Sequence, residues 1–122
     1  MTCDQFGDVT LYNGDALAVL ANLPGEAVDA VLTDPPYSSG GVSLSARQAN
    51  PANKYQSSGT KRRYPPMLGD AKDQRSWIMW CTLWLGEAWR IARPGSPLMV
   101  FTDWRQLQAL SDAVQGRVSL FQ

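Results

Sequence analysis

Residues 28–37 read Val-Asp-Ala-Val-Leu-Thr-Asp-Pro-Pro-Tyr and hold the strongest structural signal in the chain. The first six residues are mostly apolar and include β-branched types, which is typical of a strand buried on both faces of a parallel sheet. The two prolines cannot continue a central strand. We therefore expect a buried strand over residues 28–33, with Asp34, Pro35, Pro36 and Tyr37 at its carboxyl end.

The segment before this strand predicts another strand and a short helix. Val9 to Tyr12 is β-prone and stops at Asn13-Gly14, a turn pair that favours positive φ. Asp15 can then cap a helix whose leucines and valine recur at roughly helical spacing, ended by Pro24-Gly25. Strand, helix and strand in this order predict an α/β fold.

Residues 38–72 predict a long loop with a basic character. They are rich in small, polar and basic residues and show no sustained hydrophobic period. Residues 1–46 carry six acidic side chains and no basic one, whereas residues 47–75 carry seven basic side chains and two acidic ones. A locally basic segment in a chain of zero net charge can meet an anionic partner. From charge alone, a solvated loop is the alternative.

Order is expected to resume at Asp73 with an amphipathic helix that stops at Arg93, before Pro94-Gly95. Its apolar stripe has the spacing of a helix seam, so we predict core packing rather than a platform for stacking bases. The stripe consists of Trp77, Trp80, Cys81, Trp84, Leu85 and Ala88.

The last part of the chain predicts a further strand and helix. Leu98 to Thr102 has the composition of a buried strand, and Asp103 can cap a helix that ends at Gly116. That helix carries Leu107, Leu110 and Val114. A β-prone run, Val118 to Phe121, follows it.

The composition of the 122 residues limits the possible functions. A hydrophobic content of 44% suits one globular domain. The longest apolar runs are too short to span a membrane, and no signal-peptide pattern is present, so we predict a cytoplasmic protein. Cys3 and Cys81 lack metal-ligand spacing, and the chain has no histidine. We therefore expect no metal site and no histidine-based catalysis.

The Asp-Pro-Pro-Tyr tetrapeptide predicts a pocket of hydrogen-bond acceptors beside an aromatic ring. Open α/β sheets place ligands at the carboxyl ends of their strands. Proline removes backbone donors and restricts φ, which leaves the Asp34 carboxylate and the Pro35 carbonyl as rigid acceptors. Such a pocket suits the exocyclic amino group of a base, with Tyr37 stacked on the ring. A base in duplex DNA would have to flip out to reach it.

The sequence around this predicted pocket resembles that of a known family, the N6-adenine and N4-cytosine DNA methyltransferases. The resemblance runs from Tyr12-Asn-Gly-Asp15 to the Asp-Pro-Pro-Tyr loop and continues in residues 87–95 and 98–106. The order is similar to the permuted, β-class-like arrangement, in which the catalytic loop precedes the cofactor's glycine-rich loop. Phage and prophage members are the most similar in residues 87–106.

The resemblance implies roles for individual residues. Asp34 and Pro35 would hold the target amine of double-stranded DNA, Tyr37 would stack on the flipped base, and Pro36 completes this catalytic loop. Gly14 and Asp15 would contact S-adenosyl-L-methionine, although a plain helix cap explains Asp15 equally well. Asp103 would lie near the crevice in the family, but here a helix cap is the better interpretation. The basic residues Lys61, Arg62 and Arg63 then become candidates for contacts to DNA phosphates.

The resemblance also implies that the chain is the N-terminal part of one catalytic domain. No Phe-x-Gly-x-Gly type loop occurs in residues 1–122, so we expect it beyond Gln122. The predicted fold is a partial Rossmann-like methyltransferase fold, a mostly parallel sheet with flanking helices, incomplete at the C-terminus. Two strands from the missing half would lie between the Val9 to Tyr12 strand and the Asp-Pro-Pro-Tyr strand. The isolated 122 residues are expected to fold poorly and not to methylate.

Two other functions remain open at this point. The chain could be a non-catalytic remnant or DNA-binding fragment that lacks the donor site. It could also belong to an RNA or protein amide methyltransferase, but those relatives usually carry Asn in place of Asp34. The choice between adenine and cytosine stays open, with Asp34 favouring adenine by resemblance only.

Overall fold

A computed structural model describes residues 1–38 and 72–115 of the chain. Helices and strands are both present, so the predicted mixture of α and β structure is confirmed. The elements are β1 (Thr2–Phe6), β2 (Val9–Asn13), α1 (Ala16–Asn22), β3 (Val31–Thr33), α2 (Gln74–Ile91), β4 (Leu98–Val100), a 3-10 turn (Trp104–Gln106) and α3 (Leu107–Gln115).

Strands β1 and β2 form an antiparallel hairpin, and the sequence reasoning missed β1 altogether. Phe6 pairs with Val9, so the connection is a two-residue turn. Gly7 comes first in this turn at φ 58°, a conformation that fits a type II′ hairpin and costs a glycine little. Every residue of both strands is exposed. The strand predicted at Val9 is therefore the second in the chain, and the hairpin buries neither of its faces among the described residues.

Helix α1 begins as predicted. The Asp15 carboxylate accepts a hydrogen bond from the Ala18 backbone N–H at 3.0 Å, which satisfies one of the helix's unpaired donors. The helix ends at Asn22, and the backbone N–H of the next residue, Leu23, donates a hydrogen bond to the Leu20 carbonyl. Leu17 and Leu20 then pack against the hydrophobic core.

Strands β3 and β4 are parallel neighbours, with Val31 opposite Leu98 and Thr33 opposite Val100. The Phe101 N–H donates to the Thr33 carbonyl at 2.9 Å, so the pairing reaches the residue directly before Asp34. Both strands are shorter than predicted. Val28 forms only an isolated bridge with Ala92.

The prediction that these strands are buried on both faces is wrong. Val31 and Val100 lie on the inner face and pack against the helices. Leu32 is 68% exposed and Met99 is 59% exposed, and both point to the opposite face. Successive side chains alternate between the two faces of a strand, and the described helices cover one face only.

Helix α2 forms the centre of the core. Asp73 caps it by accepting from the backbone N–H groups of Arg75 and Ser76. Trp77, Cys81 and Leu85 are fully buried, and the apolar stripe predicted from the sequence is confirmed as core packing. The partners from α3 are Ala109, Leu110 and Ala113.

The chain after β4 turns through a short 3-10 segment before α3 starts. Asp103 caps this segment by accepting from the Arg105 N–H at 2.9 Å, and its carboxylate also pairs with the Arg105 guanidinium. The prediction of a cap at Asp103 is confirmed, although the cap belongs to the 3-10 turn. Gly116 and the β-prone run after it lie outside the described residues.

The two pairs of strands form separate sheets, one antiparallel and one parallel. The described residues therefore have a mixed α/β architecture with small sheets. Two parallel strands do not establish the larger Rossmann-like sheet. No helix in the described ranges has both the length and the apolar character needed to cross a membrane.

Candidate functional site

The Asp34–Ser38 loop, residues 34–38, leaves the carboxyl end of β3. Asp34 is exposed, Pro35, Pro36 and Tyr37 are half-buried, and Ser38 is buried. Ser38 has φ 53°, an uncommon conformation for a residue other than glycine. The loop therefore turns inward over its length, from an exposed carboxylate to a buried hydroxyl.

Asp34 and Tyr37 meet within this loop. The Tyr37 hydroxyl donates a hydrogen bond to Oδ1 of the Asp34 carboxylate. The structure thus brings the predicted acceptor and the predicted aromatic wall together. A carboxylate has two oxygens and about four lone-pair sites, so one phenol does not use its full capacity to accept hydrogen bonds.

The other side of the loop is bound to the start of helix α2. The Trp77 indole Nε1 donates to the Pro36 carbonyl at 2.9 Å, and the Lys72 backbone N–H donates to the Ser38 Oγ at 3.1 Å. The sequence reasoning assigned Trp77 to the core and missed this contact. The available signal was general: a buried tryptophan usually needs an acceptor for its N–H.

The hydrogen bond between Lys72 and Ser38 also joins the two described residues that flank residues 39–71. The predicted DNA-binding residues Lys61, Arg62 and Arg63 belong to that segment and lie outside the described residues. Their role stays a prediction.

Gly14 and Asp15 lie between β2 and α1. Strand β2 belongs to the β1–β2 sheet, which is separate from the β3–β4 sheet that carries the Asp34–Ser38 loop. Asp15 acts as the helix cap described above, which confirms its structural interpretation. A Cβ at Gly14 would lie 3.3 Å from the Met1 Cα, so the chain passes closely here. The predicted contact of both residues with S-adenosylmethionine stays a prediction.

Neither cysteine lies in the Asp34–Ser38 loop. Cys81 is fully buried in the core, and this burial raises the pKa of its thiol to about 12. A thiol with such a pKa is neutral near pH 7 and is a poor nucleophile or metal ligand. Cys3 lies exposed on β1. Within the described ranges, no group of three or more histidine, cysteine or acidic side chains is arranged to hold a metal ion.

Comparison with known proteins gives one informative similarity. No protein-family model matches the chain, and no solved structure matches it. The chain is 24% identical over 91 residues to the type II methyltransferase M.BamHI of Bacillus amyloliquefaciens. The match covers 75% of this chain but 16% of that relative, so the chain spans about a sixth of its length. The chain is thus distantly similar to part of a methyltransferase.

Proposed function

We propose that the chain is part of an S-adenosylmethionine-dependent DNA methyltransferase that modifies the exocyclic amino group of adenine or cytosine. One observation carries this proposal: Asp34-Pro-Pro-Tyr37 follows a parallel strand directly and brings a carboxylate and a phenol together. The similarity to a type II methyltransferase supports the reaction class independently of this geometry.

The Asp34–Ser38 loop would act on the amine by accepting hydrogen bonds. An exocyclic amino group is a weak nucleophile because its lone pair is delocalised into the ring. The Asp34 carboxylate and the Pro35 carbonyl would accept its two N–H bonds and favour a pyramidal nitrogen. The nitrogen lone pair would form the new bond to carbon, and Asp34 could accept the proton that the nitrogen then loses.

The phenol has to change partner for this to happen. Tyr37 donates to Asp34 in the structure, whereas stacking on a base would require its ring to face the incoming heterocycle. We infer that, when the base enters, the Tyr37 hydroxyl leaves the Asp34 carboxylate and an N–H of the target amine donates to that carboxylate instead. Stacking on an aromatic ring contributes about 1–3 kcal/mol per base, which can offset part of the cost of flipping.

S-adenosylmethionine, when bound, would supply a methyl group carried on a sulfonium, with a neutral thioether as the leaving group. Asp15 is suited to hold part of it, because its exposed carboxylate caps α1 through Oδ1 and a carboxylate can accept more than one hydrogen bond. A ribose hydroxyl is a suitable donor to that group. Gly14, the residue before Asp15, would lie beside the bound ligand.

We further propose that the rest of the catalytic domain, including a glycine-rich cofactor loop, lies outside residues 1–122. Leu32 and Met99 leave an apolar sheet face open to solvent among the described elements, and a larger sheet with helices on both faces would cover it. The low coverage of M.BamHI supports a longer protein. Lys61, Arg62 and Arg63 would contact DNA phosphates.

Methyl transfer to DNA by the complete protein tests the proposal. The protein is incubated with labelled S-adenosylmethionine and unmethylated duplex DNA, which is then digested to nucleosides for mass analysis. We expect N6-methyladenine or N4-methylcytosine. Asp34→Ala should reduce the rate by about a thousandfold, a size typical of losing a group that acts on the transition state.

Asp8→Ala is the matched control, since it removes an exposed carboxylate from the turn of the β1–β2 hairpin. It should leave the rate within about twofold, the size of a distant surface change. Absence of both methylated bases with an otherwise folded wild-type protein would favour the non-catalytic fragment. Methylation of RNA or protein, but not DNA, would favour the third function considered from the sequence.

A further inference from the structure

Within the Pro35-Pro36 pair of the Asp34–Ser38 loop, one backbone torsion is left unrestrained, the ψ of Pro36. A residue that precedes proline is confined to extended ψ values, and this applies to Asp34 and to Pro35. Each proline also has its own φ restricted by the ring. Pro36 precedes a tyrosine, so its ψ is free of this restriction. This torsion sets the direction of the Pro36 carbonyl and of the planar peptide that leads into Tyr37.

Trp77 acts on this torsion. Its indole N–H donates to the Pro36 carbonyl at 2.9 Å, across 41 positions of sequence. The ring is fully buried in the core between helices, so the donor has little freedom to move. The neighbouring bond from Lys72 to Ser38 holds the chain one residue beyond Tyr37. Tyr37 thus lies between two residues that are bound, one to the first turn of α2 and the other to Lys72, the residue before its cap.

We propose that Trp77 is a positioning residue for methyl transfer: by holding the Pro36 carbonyl, its indole N–H sets where Tyr37 stands relative to Asp34. The proposal rests on the proposed function, and it assigns Trp77 a role beyond core packing. Trp77 touches neither the base nor the cofactor in this scheme. Its effect reaches the reaction only through the direction of the Tyr37 ring.

Trp84 offers a comparison on the same helix. It is also buried, at 5% exposure, but its indole N–H has no nitrogen or oxygen acceptor among the described residues. The Cys81 sulfur near it is only a weak acceptor. The two tryptophans therefore share a helix and a core, and they differ in whether the N–H reaches the Asp34–Ser38 loop.

The test compares three variants of the complete protein. Trp77→Phe removes the N–H and part of the ring, while benzothienylalanine at position 77 replaces only the N–H by sulfur and preserves the shape. Trp84→Phe is the control for reduced core volume. We expect both Trp77 variants to lower kcat by about tenfold to a hundredfold, as misplacement of a reacting group does. KM for DNA should change less than about twofold, and Trp84→Phe should leave kcat near wild type.

A second measurement does not depend on activity. The ring carbons of Tyr37 are labelled with ¹³C, and their NMR signals are compared across the variants. The Trp77 variants should shift or broaden these signals, whereas Trp84→Phe should not. Unchanged Tyr37 signals together with wild-type kcat in the benzothienylalanine protein would overturn the proposal, as would an equal loss of kcat in Trp84→Phe. An inactive wild type would contradict the proposed function, and the Tyr37 signals would then decide the role of Trp77 separately.

Discussion

The Asp34–Ser38 loop and the β1–β2 hairpin are both short and partly exposed, but they are held in different ways. The loop is bound to side chains and backbone far away in sequence, through Trp77 and Lys72. The hairpin is held by its own ladder and by local bonds, such as the one from the Thr10 hydroxyl to the Gln5 side chain. Phe6 and Val9 remain 64% and 62% exposed.

The difference shows which of the two regions tertiary contacts stabilise. An isolated two-stranded hairpin is marginally stable in water, since it buries little apolar surface. The loop lies instead on helix α2, whose inner face forms the core. A candidate site needs a rigid support to hold reacting groups in place, and the described structure provides one for the loop and not for the hairpin.

The largest difference is expected from removing one leucine in each region. Leu85→Ala should lower the free energy of unfolding by about 3 kcal/mol, because Leu85 is fully buried and the change leaves a cavity. Leu11→Ala, in the hairpin, should cost less than about 1 kcal/mol, because that side chain is 54% exposed. Urea denaturation of the complete protein measures both. Equal losses would mean that the hairpin is packed as tightly as the core.

An intermediate effect is expected on DNA binding. Replacing Lys61, Arg62 and Arg63 by glutamine should flatten the plot of log binding constant against log salt by about 0.9 for each DNA phosphate that the variant no longer neutralises. Arg93→Gln removes an exposed arginine that pairs with Asp29 and serves as the control. Its slope should match that of the wild type. An unchanged slope in the triple variant would remove the three residues from the DNA interface.

The smallest effect concerns the cap that starts helix α2 beside the loop. Hydrogen bonds from the Ser76 hydroxyl and backbone lower the pKa of Asp73 from its ordinary value of 3.8. The cap therefore stabilises the folded state fully above 3.8, and this contribution is lost as the pH falls through the lowered value. Ser76→Ala should bring the pKa of Asp73 back towards 3.8. Hydrogen exchange of the backbone amide of residue 76, measured against pH in the wild type and in the variant, follows this titration. Identical pH profiles would contradict the role of the Ser76 hydroxyl in lowering the pKa of Asp73.

The features of the fold that depend on neighbouring residues could be predicted from the sequence. Asp15 and Asp103 were predicted as caps and each acts as one, because a carboxylate reaches the backbone N–H groups two or three residues ahead of it. The helical spacing of the apolar residues likewise predicted the buried side of α2. Strand β1 was missed because Thr2–Phe6 mixes polar and apolar residues without a marked pattern.

The candidate site was predictable only in part. The types and spacing of Asp34 and Tyr37 indicated an acceptor next to an aromatic ring, and the two side chains do meet. The cap role of Asp15 was also predicted, while its contact with a cofactor remains a prediction. Two properties of the site could not be read from local sequence, namely the bond that joins Tyr37 to Asp34 and the support that the loop receives from Trp77.

The sequence by itself determined that Asp15 caps α1, where the Asp34–Ser38 loop leaves its strand, and which face of α2 is apolar. These properties depend on hydrogen bonds within one turn and on the period of side chains along one element. Only the tertiary structure decided that β3 pairs with β4, that Leu32 stays exposed, and that Trp77 reaches Pro36. The strand pairing and the bond from Trp77 join residues 41 or more positions apart. They form only when packing elsewhere offsets the entropy cost of closing the long chain loop between them.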